Sequence, residues 1–184
     1  MISEYEPTWP MRFGEIARSL RERLGADAVR IDHIGSTSVP GLAAKDLIDI
    51  QVTVAALGVS DSWPDELLPT MHRRPGMRDH VPATSSTDSA EWDKRYWSHP
   101  QGIHVHVRED GRLNQRYPLL FRDDLRTDPV AAGSYASLKR ALVAVVEDDW
   151  DAYDAVKDPA CDLIIAGAQQ WADRVGWTLP PSDA

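Results

Sequence analysis

Residues 47–54, LIDIQVTV, alternate in character with a period of two, and that period belongs to a β-strand rather than a helix. Successive side chains leave a strand on opposite faces, so Ile48, Ile50, Val52 and Val54 form one apolar face. Leu47, Asp49, Gln51 and Thr53 form the other. A second run, IHVHVR at 103–108, divides in the same way, with Ile103, Val105 and Val107 set against His104, His106 and Arg108. Each strand needs a hydrophobic layer on one side and carries ionisable groups on the other. As neighbours in one sheet, their polar faces would converge on a site holding one carboxylate and two imidazoles.

The rest of the chain reads as flanks to that sheet. Trp9-Pro10 makes a helix entrance, because proline is tolerated in a first turn. Phe13, Ile16, Ala17, Leu20 and Leu24 then keep helical spacing up to Gly25. AVRIDHI at 28–34 reads as a strand. VPGLAAK at 39–45 predicts a turn with a short helical piece, and WPDELLPTM at 63–71 a short helix inside a crossover. Residues 72–90, rich in Pro, Ser, Thr and Asp, read as an irregular flap. EWDKRYW at 91–97 and GIHVHVRE at 102–109 predict two strands joined by the turn SHPQG. From Asn114 onward the pattern is helical, through LLFRDDL, the spaced Ala136, Leu138, Ala141, Leu142 and Val145 after Ser134, then WDAYDAVKD and ACDLIIAGAQQWADRV. The expected fold class is α+β, a mixed β-sheet flanked by helices with a helical C-terminal third. One domain is expected over 1–184, its core about 1–112 and its helical part about 113–178.

A hydrophobic share of 42% and a charged share of 27% suit a globular core. No run approaches the roughly 18 apolar residues of a membrane span. Residues 1–13 lack a basic region followed by an apolar stretch, so a cytoplasmic location is expected. The single cysteine, Cys161, fits reducing surroundings and reads as a packed thiol within ACDLIIAGA. A net charge of −9 argues against polymeric nucleic acid as a partner, since such binding needs basic surface. Basic residues still gather in HRRPGMR at 72–78 and DKRYW at 93–97, as one small anionic ligand would require. Scattered solvated charge explains the first cluster equally well. Nothing in the sequence sets an oligomeric state.

One carboxylate with two imidazoles is a plausible metal triad, and such a donor set suits zinc, manganese or iron better than an all-oxygen site does. His104 and His106, two apart on one strand, point the same way. A solvent-facing strand with His–carboxylate pairs would look the same in sequence. The segment Gly35-Ser36-Thr37-Ser38 has the makings of a phosphate grip, since glycine lets the backbone approach a ligand and three hydroxyls offer donors. Turns elsewhere use the same residues. Lys45, just before the strand, would neutralise a phosphate. His33 lies on the side of Val29 and Ile31, either as a core histidine or as a group that orients the corner. Trp9, Trp150 and Trp171 read as packing residues, whereas Trp97, beside Arg95 and Tyr96, is placed near a ligand.

Gly35-Ser36 followed by LIDI resembles the nucleotidyltransferase superfamily of the DNA-polymerase-beta type. More narrowly, HIGSTSVPGLAAKDLIDIQV is similar to the signature of the GrpB family, and the likeness continues through KRYW, HVHV, LLFRDDLR, YASLK and YDAVK. The resemblance implies a mixed sheet of nucleotidyltransferase type, with Gly35 and Ser36 where such enzymes hold the phosphates of a nucleoside triphosphate and Thr37 and Ser38 as further candidates for the same grip. Asp49 would match the first metal-binding acid, and His104 or His106 would replace the third. Gln51 stands where such an enzyme has its second acid. Two-metal phosphoryl transfer needs anionic ligands to hold ions about 4 Å apart, so a single divalent metal (Mg, Mn or Zn) is the expectation.

The implied reaction is transfer of a nucleotidyl group to a small acceptor. Asp49, His104 and His106 would serve as metal and catalytic residues, with Lys45 and Arg95 offsetting phosphate charge. Arg122 and Lys139, on the C-terminal helices, either reach the cleft or form helix salt bridges. Two alternatives stand beside this reading: a single-metal Asp/His enzyme acting on another small metabolite, and a nucleotide-binding module without catalysis.

Overall fold

The computed structural model describes residues 2–83, 85–146 and 149–184. Helix α1 (Trp9–Leu24) is followed by strands β1 (Arg30–Ile34), β2 (Ile48–Val54), β3 (Glu66–Leu68), β4 (Met71–Arg73), β5 (Arg95–His99) and β6 (Ile103–Glu109). Helices α2 (Leu113–Thr127), α3 (Pro129–Val146) and α4 (Trp150–Val175) complete the chain. The six strands form one mixed sheet in the order β1-β2-β6-β5-β4-β3, in which only β2 and β6 run parallel. Among the described residues no helix is long and apolar enough to cross a membrane.

The two-residue period sorts the sheet as expected. Ile48, Ile50, Val52 and Val54 are fully buried beside Ile31, Val105 and Val107. The spaced face of α1, Trp9, Phe13, Ala17, Leu20 and Leu24, covers them in one core cluster. Fully burying each such side chain is worth about 1.5–3 kcal/mol, so this layer dominates the stability of the sheet. His33 belongs to it, stacked on Phe13 with ring centroids 4.8 Å apart. On the opposite face α2 packs against β1 and β6, and α3 and α4 pack on α2 through Leu120, Leu125, Tyr135, Ala168 and Ala172. The side chain of Trp150 lies outside the described residues.

Several local expectations yield to longer-range pairing. WPDELLPTM forms the β3–β4 hairpin, not a helix, because Leu67 and Met71 are each buried only when the segment extends the sheet from β5. The short helical piece expected in VPGLAAK falls earlier, as a 3₁₀ turn at Ser36–Ser38. The strand expected from Glu91 starts only at Arg95, after a 3₁₀ turn at Ser89–Glu91. The two stretches flanking Pro159 are one continuous helix, although an interior proline removes a hydrogen bond.

Strand β1 lies at the sheet edge, and the final residues cover it. Ser182 Oγ accepts from Ile31 N (2.9 Å), and Ala184 N donates to Ile31 O (3.1 Å). Asp183 Oδ2 accepts from His33 N (2.9 Å) and from the buried Arg122 Nη1 (2.7 Å). Unpaired edge N–H groups invite pairing with other chains, and the tail satisfies them internally. Asp183→Ala is expected to cost about 2 kcal/mol in urea unfolding, since it strips a partner from a buried guanidinium and from an edge amide.

Burial pushes the His33 pKa down to about 4. Its folded value lies below the unfolded one, near 6.5, so the unfolded chain takes up the proton first as pH falls. This contribution is complete above pH 6.5 and declines towards pH 4, by up to about 3 kcal/mol. Denaturation midpoints measured across that window should fall more steeply for the native sequence than for His33→Gln.

Candidate metal centre

The parallel pairing of β2 with β6 places Asp49 opposite His104 and Gln51 opposite His106. Side chains in register on one face meet, and Asp49 Oδ1 lies 3.3 Å from His104 Nδ1 and 3.4 Å from His106 Nε2. All three residues offer ligand atoms within 4.8 Å of one another. Tyr96, from β5, stands edge-on to both imidazoles at centroid distances of 5.5 and 5.0 Å.

The electrostatics keep Asp49 and His106 in ligand-ready states. Burial alone would raise the Asp49 pKa, but its hydrogen bonds to His104 and His106 prevail and hold it well below the usual carboxylate range. Burial, helped by the charges of Arg108 and Lys94, lowers the His106 pKa to about 4 against the pull of Asp49. A carboxylate and a neutral imidazole are the forms that bind metal at neutral pH.

Gly35 permits this arrangement. Its φ is +69°, a region open to glycine, and a Cβ there would lie 2.4 Å from Asp49 Oδ2. The three hydroxyls that follow have different jobs. Thr37 Oγ1 donates to Leu47 O (2.8 Å) and stands 3.0 Å from His33 Nε2. Ser38 Oγ donates to Gly35 O (2.6 Å). Both hydroxyls are buried and engaged within the protein, Thr37 with Leu47 and Ser38 with Gly35, and Thr37 also lines the cavity above Asp49. Ser36 Oγ does face the cleft, accepting from Lys139 Nζ at 2.8 Å.

Lys139 comes from α3 and also donates to Ala43 O (2.7 Å). Burial lowers its pKa to about 8. Lys45 lines the same cavity, its Nζ 4.1 Å from the centre of the Tyr153 ring. Arg122 does not reach the cleft; it binds His33 O, Asp123 and Asp183.

Arg95 is a correction. It lies on the other face of β5, opposite Val107, and makes two hydrogen bonds to Asp61 (2.7 and 3.1 Å). Its neighbour Lys94 faces the cleft instead. Trp97 shares Arg95's parity and is fully buried in the α1-side core near Trp63, away from the cleft. Alternation along β5 leaves Tyr96 as the aromatic residue on the site face.

The irregular segment contributes a group that sequence reasoning missed. Asp79 accepts from Arg108 (2.8 and 2.7 Å), Lys94 (2.7 Å) and Asn114 (3.1 Å). Burial would raise its pKa, but Arg108 and Lys94 outweigh that and keep it ionised. Arg108 Nη1 also donates to Gln51 Oε1 (2.8 Å), while Gln51 Nε2 donates to Gln115 O (2.9 Å). Gln51 is thus a buried brace between β2, β6 and α2. Asp79 carries no periodic signal among 29 acidic residues, so no local pattern marks it.

Above the triad opens a cavity of about 470 Å³ whose wall includes Lys45, Arg78, Lys94, Lys139 and Lys157. Asp154 and Asp158 pair with Lys157, and Asp79 with Lys94. Lys139 meets Ser36 Oγ, Ala43 O and the Tyr135 ring (4.6 Å to its centre), and among the described residues no carboxylate pairs with it, leaving a positive charge aimed at any anion in the cavity. Gly35→Ala should displace the Asp49 carboxylate and abolish divalent-metal binding by calorimetry, while Gly133→Ala, a helical position with open space, leaves it intact.

A family model described as GrpB protein matches residues 1–166. A dephospho-CoA kinase of Mycolicibacterium paratuberculosis is 37% identical over 94% of this chain, and the chain spans only 46% of that protein's length. A UPF0157 protein of Streptomyces coelicolor is 36% identical over 90% of this chain and 80% of its own. The crystal structure of conserved protein GrpB from Enterococcus faecalis superposes with a TM-score of 0.71 at 29% identity, covering 93% of this chain and 99% of that one. With the matched residues taking in the Gly-Ser corner, both site strands and most of the helical layer, the chain belongs to the GrpB family.

Proposed function

We propose that Asp49, His104 and His106 hold one divalent metal ion, and that the protein uses it to transfer a nucleotidyl group from a nucleoside triphosphate to a small acceptor. The observation that carries this reading is the convergence of three ligand atoms within 4.8 Å beneath a cavity walled by lysines. One carboxylate with two imidazoles fits zinc, manganese or iron better than magnesium, which prefers oxygen ligands. When bound, such an ion supplies Lewis acidity to a phosphoryl oxygen.

The chain's own groups supply the rest. Lys139, Ser36 and the backbone of the Gly35 corner bind phosphate oxygens, and Lys45 adds charge at the cavity wall. The Asp79–Arg108–Lys94 cluster packs behind His106 and holds its ring in place; Arg108 Nη2 and Lys94 Nζ lie 3.5 and 3.4 Å from His106 Nδ1. The name dephospho-CoA kinase describes proteins of which this chain matches less than half. The G-x-x-x-x-G-K-[ST] run by which many kinases cradle phosphates does not occur in this sequence. The cleft, rather than that name, carries the reading.

A second reading is a single-metal reaction other than nucleotidyl transfer on a small phosphorylated metabolite. The tie between Gln51 and Arg108 favours it, because a second ion has no anionic anchor at that position.

Metal analysis of the protein as purified, beside Asp49→Ala and His104→Ala, tests the centre. About one zinc, manganese or iron per chain, lost in both variants, is expected. Triphosphate turnover should fall in Asp49→Ala by more than the roughly 10–100-fold that loss of an outer partner costs. Bound metal with no nucleotide product would transfer the weight to the second reading. Absence of both metal and nucleotide binding would overturn the proposal.

A further inference from the structure

A second hollow of about 280 Å³ adjoins the cationic cavity and shares with it Gly35, Asp49 and His106. Its chemistry is different. Trp92, Tyr117, Pro118 and Phe121 line one side of it, with Ile34 beneath, while Asp79, His80, Arg108 and Lys157 stand on the side towards the first cavity. Positions 117, 118 and 121 lie on one face of α2, so the helix presents a continuous apolar wall to the triad. Tyr117 and Phe121 lie nearly parallel (centroids 6.1 Å apart, 10° between planes), and Trp92 meets Tyr117 at 72°. Trp92 is anchored by its Nε1 donating to Ser86 O (2.8 Å). Among the described residues the Tyr117 hydroxyl has no hydrogen-bond partner, which leaves it as a polar handle at the edge of an aromatic slot.

We propose that this slot receives a flat heteroaromatic ring, the base of a nucleotide whose phosphates occupy the cationic cavity. The substrate then straddles Asp49 and His106, with its charged half against Lys139 and Lys45 and its ring against Tyr117, Phe121 and Trp92. This deepens the nucleotide reading given above and rests on it. A lysine-lined cavity that opens onto an aromatic wall fits a ligand that is itself divided into an anionic and an aromatic half. Aromatic walls favour ring stacking without selecting strongly among bases, because every base has a π-face. The slot therefore predicts nucleotides as a class rather than one base.

The test compares a purine and a pyrimidine nucleoside triphosphate with inorganic tripolyphosphate, by calorimetry in the presence of manganese. The unaltered protein should bind both nucleotides tenfold or more tightly than tripolyphosphate. Tyr117→Leu and Phe121→Leu, which keep apolar bulk and are checked by thermal unfolding, should erase that preference and leave tripolyphosphate affinity unchanged. Lys139→Met should weaken all three ligands together. Equal binding of nucleotide and tripolyphosphate to the unaltered protein overturns the ring slot while leaving the phosphate cavity standing. Failure of all three to bind removes the nucleotide reading and the slot with it.

Discussion

The parallel pairing of β2 with β6 is the constraint on which the site depends. Both strands carry alternating sequences, and alternation alone leaves open whether their polar faces meet, or in what register. A shift of one residue would send the imidazoles into the α1-side core and the valines into the cleft. In the observed register Asp49 faces His104, the hydrophobic partners Ile50 and Val105 fall together, and burial of the apolar face locks the polar face in place. The same burial that stabilises the sheet thus brings Asp49, His104 and His106 together, and the Asp79–Arg108–Lys94 cluster behind His106 adds a second constraint.

Around that pairing the protein sets charge against its own average. The chain carries a net charge of −9, yet the cavity over Asp49 sets five basic side chains against four carboxylates, Asp49, Asp79, Asp154 and Asp158. Burying a charge is costly unless it is paired, and the pairing is selective. Arg108 and Lys94 are matched by Asp79, and Lys157 by Asp154 and Asp158. Lys139 is held by neutral oxygens at the Gly-Ser corner. A cation held this way keeps its field directed outward, which is the arrangement an anion-binding cleft requires. Gln51 follows from the same logic, since a carboxylate in its place would compete with Asp79 for Arg108.

Much of this was legible in the sequence. The faces of β2 and β6, the extent of α1 and the candidate triad all follow from side-chain period and ligand chemistry, whereas the need for glycine at 35 rests on its contact with Asp49 in space. The family likeness carried by HIGSTSVPGLAAKDLIDIQV agrees with the family match. The misreadings have two causes. Arg95 and Trp97 were placed towards the ligand although their parity on β5 sends them to the opposite side. The β3–β4 hairpin was taken for a helix because its neighbours in sequence favour one, whereas its partner in space is β5.

The sequence by itself determined what short-range physics controls: which residues share a strand face and where α1 begins and stops. Tertiary structure alone decided which distant groups complete the site. Asp79 reaches Arg108 across 29 residues of sequence, and Lys139 reaches Ser36 across 103. Such contacts depend on how helices and an irregular segment cross the sheet. Periodicity describes neighbours along the chain, whereas an ion pair is set by distance in space.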